Sequence, residues 1–193
     1  AWATGGNLNT ARAYLAGAGT QTAGLAMGGS AGGPSALNES YNGSSWTEVN
    51  DLGTARYGLA GVGTQTAALV FGGSPKTANT ESWNGSNWTE VNNLGTARYG
   101  LTGAGTQTAA LGFGGYQGWN HPSPQYYPNT ESWNGTNWTS VNSLNTGRQK
   151  LAGAGENNTA ALAFGGGAPS NTAITESWNG TNWTEVNDLN TAR

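Results

Sequence analysis

One segment constrains this chain more than any other. Thr80 to Arg98, TESWNGSNWTEVNNLGTAR, recurs four times with small changes. Glu81, Trp83, Asn84, Gly85, Trp88, Leu94 and Arg98 keep their relative places, with Tyr41 standing for the first Trp in the first copy. Self-similarity at a fixed period of this size means one supersecondary unit stacked several times. Five Trp anchors, Trp2, Trp46, Trp88, Trp138 and Trp183, lie 44, 42, 50 and 45 residues apart. A Leu follows each anchor by six residues, and an Arg comes four residues later. Those positions, Arg12, Arg56, Arg98, Arg148 and Arg193, hold every arginine in the chain, so arginine serves the repeat.

Composition alone would allow disorder, since Gly is 33 of 193 residues and only 9% are charged. Nine Trp and the strict period argue against it, because disordered tracts are poor in aromatics. A net charge of −3 with no basic run excludes phosphate-driven nucleic-acid binding. No apolar run is long enough to insert in a membrane as a helix. No leader is evident at Ala1, and the chain reads as processed or as a piece of something longer. Without cysteine there are no disulfides, thiolate metal sites or cysteine nucleophiles.

Each unit reads as four short strands. The first, Tyr57–Val62, is small and Gly-rich, which suits a strand closely approached by another backbone. The second, Thr66–Phe71, is apolar on both faces, as a strand buried on both sides should be. It exits through Gly72-Gly73, repeated as Gly28-Gly29, Gly114-Gly115 and Gly165-Gly166. The third strand, Asn79–Trp83, and the fourth, Trp88–Asn92, are joined by Asn84-Gly85, a strong hairpin signal. A four-residue loop sets Trp83 opposite Trp88. A two-residue turn sets Trp88 opposite Glu81. Both registers put the two Trp on one face.

The double glycine after the second strand, the aromatic on the third, the Trp on the fourth and the Arg before the next unit together resemble the kelch repeat. In the second unit these are Gly72-Gly73, Trp83, Trp88 and Arg98. The hairpin is shorter than in kelch units, and Trp-Asn-Gly stands where they have Tyr-Asp. The repeat is also similar to repeats in structural and tail-fibre-like proteins of marine bacteriophages. The resemblance implies an all-β, kelch-like β-propeller with four units of four antiparallel strands and the first strand innermost. The chain is then a single repeat domain, 1–193, with units at approximately 8–51, 52–93, 94–143 and 144–188 and partial segments at 1–7 and 189–193. Trp2–Arg12 and Trp183–Arg193 align to the same repeat segment. In a closed four-blade ring they compete for one place, so ring closure and total blade number stay open.

The arginines and the glutamates Glu39, Glu81, Glu131 and Glu176 recur together. They read as buried pairs that fix the units, with a charge ring for an anion as the alternative. Trp46, Trp83, Trp88, Trp133, Trp138, Trp178 and Trp183 read as core, with a sugar-stacking surface as the alternative. Asn42, Asn84, Asn134 and Asn179 match a glycosylation pattern, but the hairpin demands the same residues. The repeat breaks most in the loop after the double glycine, which holds 9, 7, 15 and 9 residues in successive units. The 15-residue insert, YQGWNHPSPQYYPNT, carries Tyr116, Trp119, His121, Tyr126 and Tyr127, a composition suited to ligand or partner binding. One His and no Cys cannot supply the ligands of the copper-radical kelch enzymes, and no catalytic carboxylate pair stands out. The expectation is a non-enzyme without cofactor or metal. Its partners would be other virion or surface proteins, or further copies of itself, and its location a virion or cell surface. A lectin-like propeller binding cell-surface glycans is the alternative.

Overall fold

The computed structural model describes residues 5–118 and 125–193. Trp2, Trp119 and His121 lie outside the described residues. The described chain is all-β, sixteen strands in four four-stranded antiparallel sheets. Blade one is β1 (Ala16–Thr20), β2 (Ala23–Met27), β3 (Asn38–Tyr41) and β4 (Trp46–Val49). Blade two is β5 (Ala60–Gly63), β6 (Ala68–Phe71), β7 (Thr80–Trp83) and β8 (Trp88–Val91). Blade three is β9 (Thr102–Gly105), β10 (Ala110–Phe113), β11 (Thr130–Trp133) and β12 (Trp138–Val141). Blade four is β13 (Ala152–Asn157), β14 (Ala160–Phe164), β15 (Thr175–Trp178) and β16 (Trp183–Val186). In every blade the strands pair in chain order. The architecture is a four-blade β-propeller.

The first strand of each blade is innermost: β1 packs on β5, β5 on β9, and β9 on β13. Small residues are required there. A Cβ on Gly103 would lie 2.7 Å from the Phe71 ring and 2.9 Å from Val62 of the preceding blade. The second strands β6 and β10 are buried along their whole length. The four-residue hairpin is the register adopted, with Trp83 opposite Trp88 and Trp133 opposite Trp138. Asn84 closes the loop as an Asx turn, its Oδ1 accepting the backbone N–H groups of Ser86 and Asn87, while Gly85 takes φ +91°. The first strand starts later than its sequence suggests, at Ala60 rather than Tyr57. Gly58 has φ +61°, which breaks extension, and the β-pairing of Tyr57 is an isolated bridge to Ser74. Thr66 and Ala67 are likewise spent in the turn, and β6 starts at Ala68.

Three apolar clusters fill the three internal junctions between consecutive blades. Between blades two and three, Val62, Leu69 and Phe71 meet Leu101, Ala110 and Trp133. Among the described residues, blade four and blade one share no such cluster, and β13 and β1 are not packed together as neighbouring inner strands are.

Candidate functional site

Most residues singled out by the repeat hold the blades together. Arg56 sits in the linker between blades one and two. Its backbone belongs to blade one: Gly29 N–H donates to Arg56 O at 2.9 Å, and Arg56 N–H to Ser35 O at 3.0 Å. Its side chain belongs to blade two, where Nη2 lies 2.8 Å from Glu81 Oε1 and Nη1 donates to Asn79 O at 2.7 Å. The other oxygen, Glu81 Oε2, accepts Gly53 N–H at 2.6 Å. The same staple recurs as Arg98–Glu131 and Arg148–Glu176, both at 3.1 Å, and Arg12 pairs with Glu39. The four guanidinium side chains are wholly buried. Burial pushes the pKa of Arg56, Arg98 and Arg148 down, and the glutamate partner opposes it. The double glycine has the same cause. At Gly72, with φ +68°, a Cβ would lie 2.7 Å from Arg98 O and 2.7 Å from Leu101 of the next blade.

The Trp residues are scaffold in their contacts too. On the third strand, Trp83 Nε1 donates to Gln65 O at 3.0 Å, Trp133 Nε1 to Gln107 O at 2.9 Å and Trp178 Nε1 to Asn158 O at 3.1 Å. On the fourth strand, Trp138 Nε1 donates to Thr80 Oγ1 and Trp183 Nε1 to Thr130 Oγ1, both at 3.0 Å and both in the preceding blade. With the Asn38 amide turned to satisfy its neighbours, Trp88 Nε1 donates to Asn38 Oδ1 at 3.0 Å. Within each hairpin the pair is in ring contact, from Tyr41–Trp46 at 4.9 Å to Trp178–Trp183 at 5.4 Å between centroids. Such a pair is worth about 0.5–1.5 kcal/mol beyond area burial.

The turn glutamine escaped the sequence reading. Gln65 Nε2 donates to Ser40 Oγ at 2.9 Å and to Tyr41 O, reaching back to the preceding blade. Gln107 Nε2 does the same to Ser82 Oγ, at 3.0 Å, and to Trp83 O. In blade four the role passes to Asn158, whose Nδ2 reaches Ser132 Oγ and Trp133 O, both at 3.1 Å. That turn is one residue longer, which compensates for a side chain one methylene shorter.

The repeat fails at one end of the axis, where the variable loops gather. The residue after each Arg bridges its own blade's loop: Ala13 to Ser30, Tyr57 to Ser74, Tyr99 to Tyr116, Gln149 to Gly167. The next residues, Tyr14, Gly58, Gly100 and Lys150, form a hydrogen-bonded stair around the axis. Gly58 N–H donates to Tyr14 O and Gly100 N–H to Gly58 O, both at 2.8 Å, and Lys150 N–H donates to Gly100 O at 2.7 Å. All four have positive φ, 54° at Tyr14 and 55° at Lys150. Glycine tolerates this; a side chain there costs about 1–3 kcal/mol and marks candidate functional positions. Lys150 Nζ lies 5.9 Å from the centre of the Tyr14 ring, and the Tyr57 ring centre is 6.2 Å from it. Tyr14 is 61% exposed. Sequence reasoning passes over Tyr14. The available signal was glycine at that place in units two and three.

The long insert joins this end through its aromatic base. Tyr116 is fully buried, edge-on to Tyr99 at 5.5 Å and tilted against Tyr126 at 5.2 Å. Burial pushes its hydroxyl pKa up. Tyr116 therefore anchors the loop rather than facing outward. Tyr126 and Tyr127 are half-buried, and Tyr127 N–H donates to Gly115 O at 2.8 Å. The returning chain crosses the next linker so closely that a Cβ on Gly147 would lie 2.3 Å from Tyr126 O. This explains why Gly147 replaces the Ala that precedes the Arg in the other copies. Among the described residues no group of three His, Cys, Asp or Glu is placed to hold a metal ion.

These contacts define a repeat β-propeller whose recurring Arg–Glu pairs are internal staples and whose irregular residues gather mostly at one axial end. No family model matches the chain, and no curated protein matches it.

Proposed function

We propose that the chain is a non-enzymatic, kelch-like structural or adhesive propeller module of a bacteriophage virion. It would serve in a fibre, tail or decoration complex and bind partner proteins or the host surface there. One observation carries the binding role. Departures from the repeat concentrate at the loop-bearing axial end, where Tyr14 and Lys150 accept backbone strain and the longest loop rests on Tyr99, Tyr116 and Tyr126. Arg12, Arg56, Arg98 and Arg148, their glutamate partners and the paired tryptophans are engaged between and within blades, which leaves the irregular residues to serve a ligand. The kelch-like and phage readings rest on the repeat residues quoted above. Quantitative mass spectrometry of purified virions tests the placement. A stoichiometric component supports it, and a chain found only outside particles contradicts it.

The lectin-like alternative draws on one feature, the exposed Tyr14 ring beside Tyr57, which offers a sugar a flat apolar face. Glycan binding that disappears in Tyr14→Gly would favour it. Failure to bind any glycan on an array would remove it.

A further inference from the structure

The junction between blades is a set of repeated contacts, and among the described residues one junction's two halves stand unfilled. On blade four, Ala152, Ala154, Leu162 and Phe164 take the places of Ala60, Val62, Leu69 and Phe71 of blade two. In blade two those four are buried under blade three. In blade four Ala152 and Ala154 are exposed, and Leu162 is 41% exposed against 0% for Leu69. Beside them opens a cleft of about 250 Å³, lined by Lys150, Ala152, Phe164, Gly165, Leu189 and Arg193. At the internal junctions the same place, over the double glycine, is filled by a leucine of the next blade. Leu59 lies on Gly28, Leu101 on Gly72 and Leu151 on Gly114. The equivalent leucine of blade one is Leu15, which is only half-buried.

The polar contacts match position by position. Gln65, Gln107 and Asn158 reach a serine on the preceding blade; blade one's Gln21 is exposed, and blade four's Ser177 is the acceptor of that kind. Trp138 and Trp183 donate to a threonine of the preceding blade; blade one offers Trp46, and blade four offers Thr175. Asn50, Asn92 and Asn142 donate to the hairpin of the next blade; Asn187 is the fourth of the set, and residues 42–45 are the fourth hairpin. The Arg193 carbonyl accepts Gly166 N–H at 2.8 Å, as each staple arginine does on its preceding blade, yet its side chain is exposed.

We infer that the exposed face of blade four is a docking surface for blade one of a second copy of this chain. The contact is head-to-tail, with Leu15 of the second copy seated in the cleft. Chemistry selects this occupant: the face asks for a glycine-lined inner strand, a leucine, a glutamine and a Trp at set places, and blade one carries all of them. A head-to-tail contact closes into a ring if the rotation allows and otherwise grows as a filament. In an isolated chain, residues 5–12 lie along blade one, with Trp46 Nε1 donating to Gly6 O and Arg12 on Glu39. Residues 187–193 lie along blade four. They are two halves of one linker, and each docked junction keeps one of them. The inference stands independently of the virion reading, since it concerns the chain alone.

Sedimentation of the purified full chain over a concentration series tests it, with Leu15→Asp and Leu162→Asp as variants. Both residues are partly exposed in the single chain, so each change should lower the melting temperature at dilution by no more than about 2–4 °C, with the chain still folded. The wild type should associate, and each variant alone should associate at least about tenfold more weakly. An equimolar mixture should form a one-to-one dimer that grows no further, because Leu15→Asp keeps an intact blade-four face and Leu162→Asp an intact blade-one face. A wild type monomeric up to its solubility limit overturns the inference. So do variants that associate like the wild type, or a mixture that stays monomeric. A monomeric native chain heavier than 19.7 kDa by whole repeats also overturns it, since its own next blade would cover the face.

Discussion

The face blade two presents to blade three and the face blade four presents to solvent are built from equivalent residues. Leu69 is sealed, and Leu162 is open. Arg98 pairs with Glu131, and Arg193 finds no glutamate among the described residues. A blade's residues therefore do not by themselves make a core. The junction does, and each repeat supplies half of it, so stability accrues between neighbours as in other repeat proteins.

The largest expected contrast is between arginines. Arg98→Ala leaves Glu131 buried without its partner and should cost about 3–5 kcal/mol in urea denaturation. Arg193→Ala should stay within about 0.5 kcal/mol of wild type at dilutions where the chain is monomeric. Equal losses would break the comparison. Next comes the turn glutamine. Gln107→Ala strips partners from Ser82 Oγ and Trp83 O inside a junction and should cost about 1–3 kcal/mol, while Gln21→Ala should be near neutral in the same assay. Gly147→Ala forces a Cβ against Tyr126 O and should cost about 1–3 kcal/mol, with increased protease cleavage in the insert between Gln117 and Gln125. Unchanged cleavage would detach the insert from the linker. The smallest effect belongs to Tyr14→Gly. It relieves positive φ but loses the Lys150 contact, so the melting free energy should move by less than about 1 kcal/mol. Partner binding, if it resides at the loop end, should fall while stability holds.

Much of this fold is legible in the sequence because the period repeats every cause with its effect. Double glycine, hairpin Asn-Gly, paired aromatics and Arg with Glu each occur four times, so chance is excluded. The strand starts were less legible. Tyr57 looks like strand material, but the next residue, Gly58, takes positive φ to hold the axial stair, a demand that comes from the neighbouring blade. Gln65 looked like an ordinary turn residue because its partners lie 25 residues back on another blade. The candidate site was legible only as the place where the repeat fails. Tyr116 carries the right composition for binding, yet its burial against Tyr99 and Tyr126 follows from loop packing that no local pattern announces. Tyr14 was hidden because its significance is conformational.

Junctions, rather than blades, hold the protein together. Equilibrium denaturation of Leu69→Ala and Leu162→Ala, each at a dilution where the chain is monomeric, tests it directly. Leu69→Ala opens a cavity in a sealed junction and should cost about 2–5 kcal/mol. Leu162→Ala should cost under about 1 kcal/mol, because no blade among the described residues covers its face. Equal, large losses at both positions would show that each blade is held by its own residues instead.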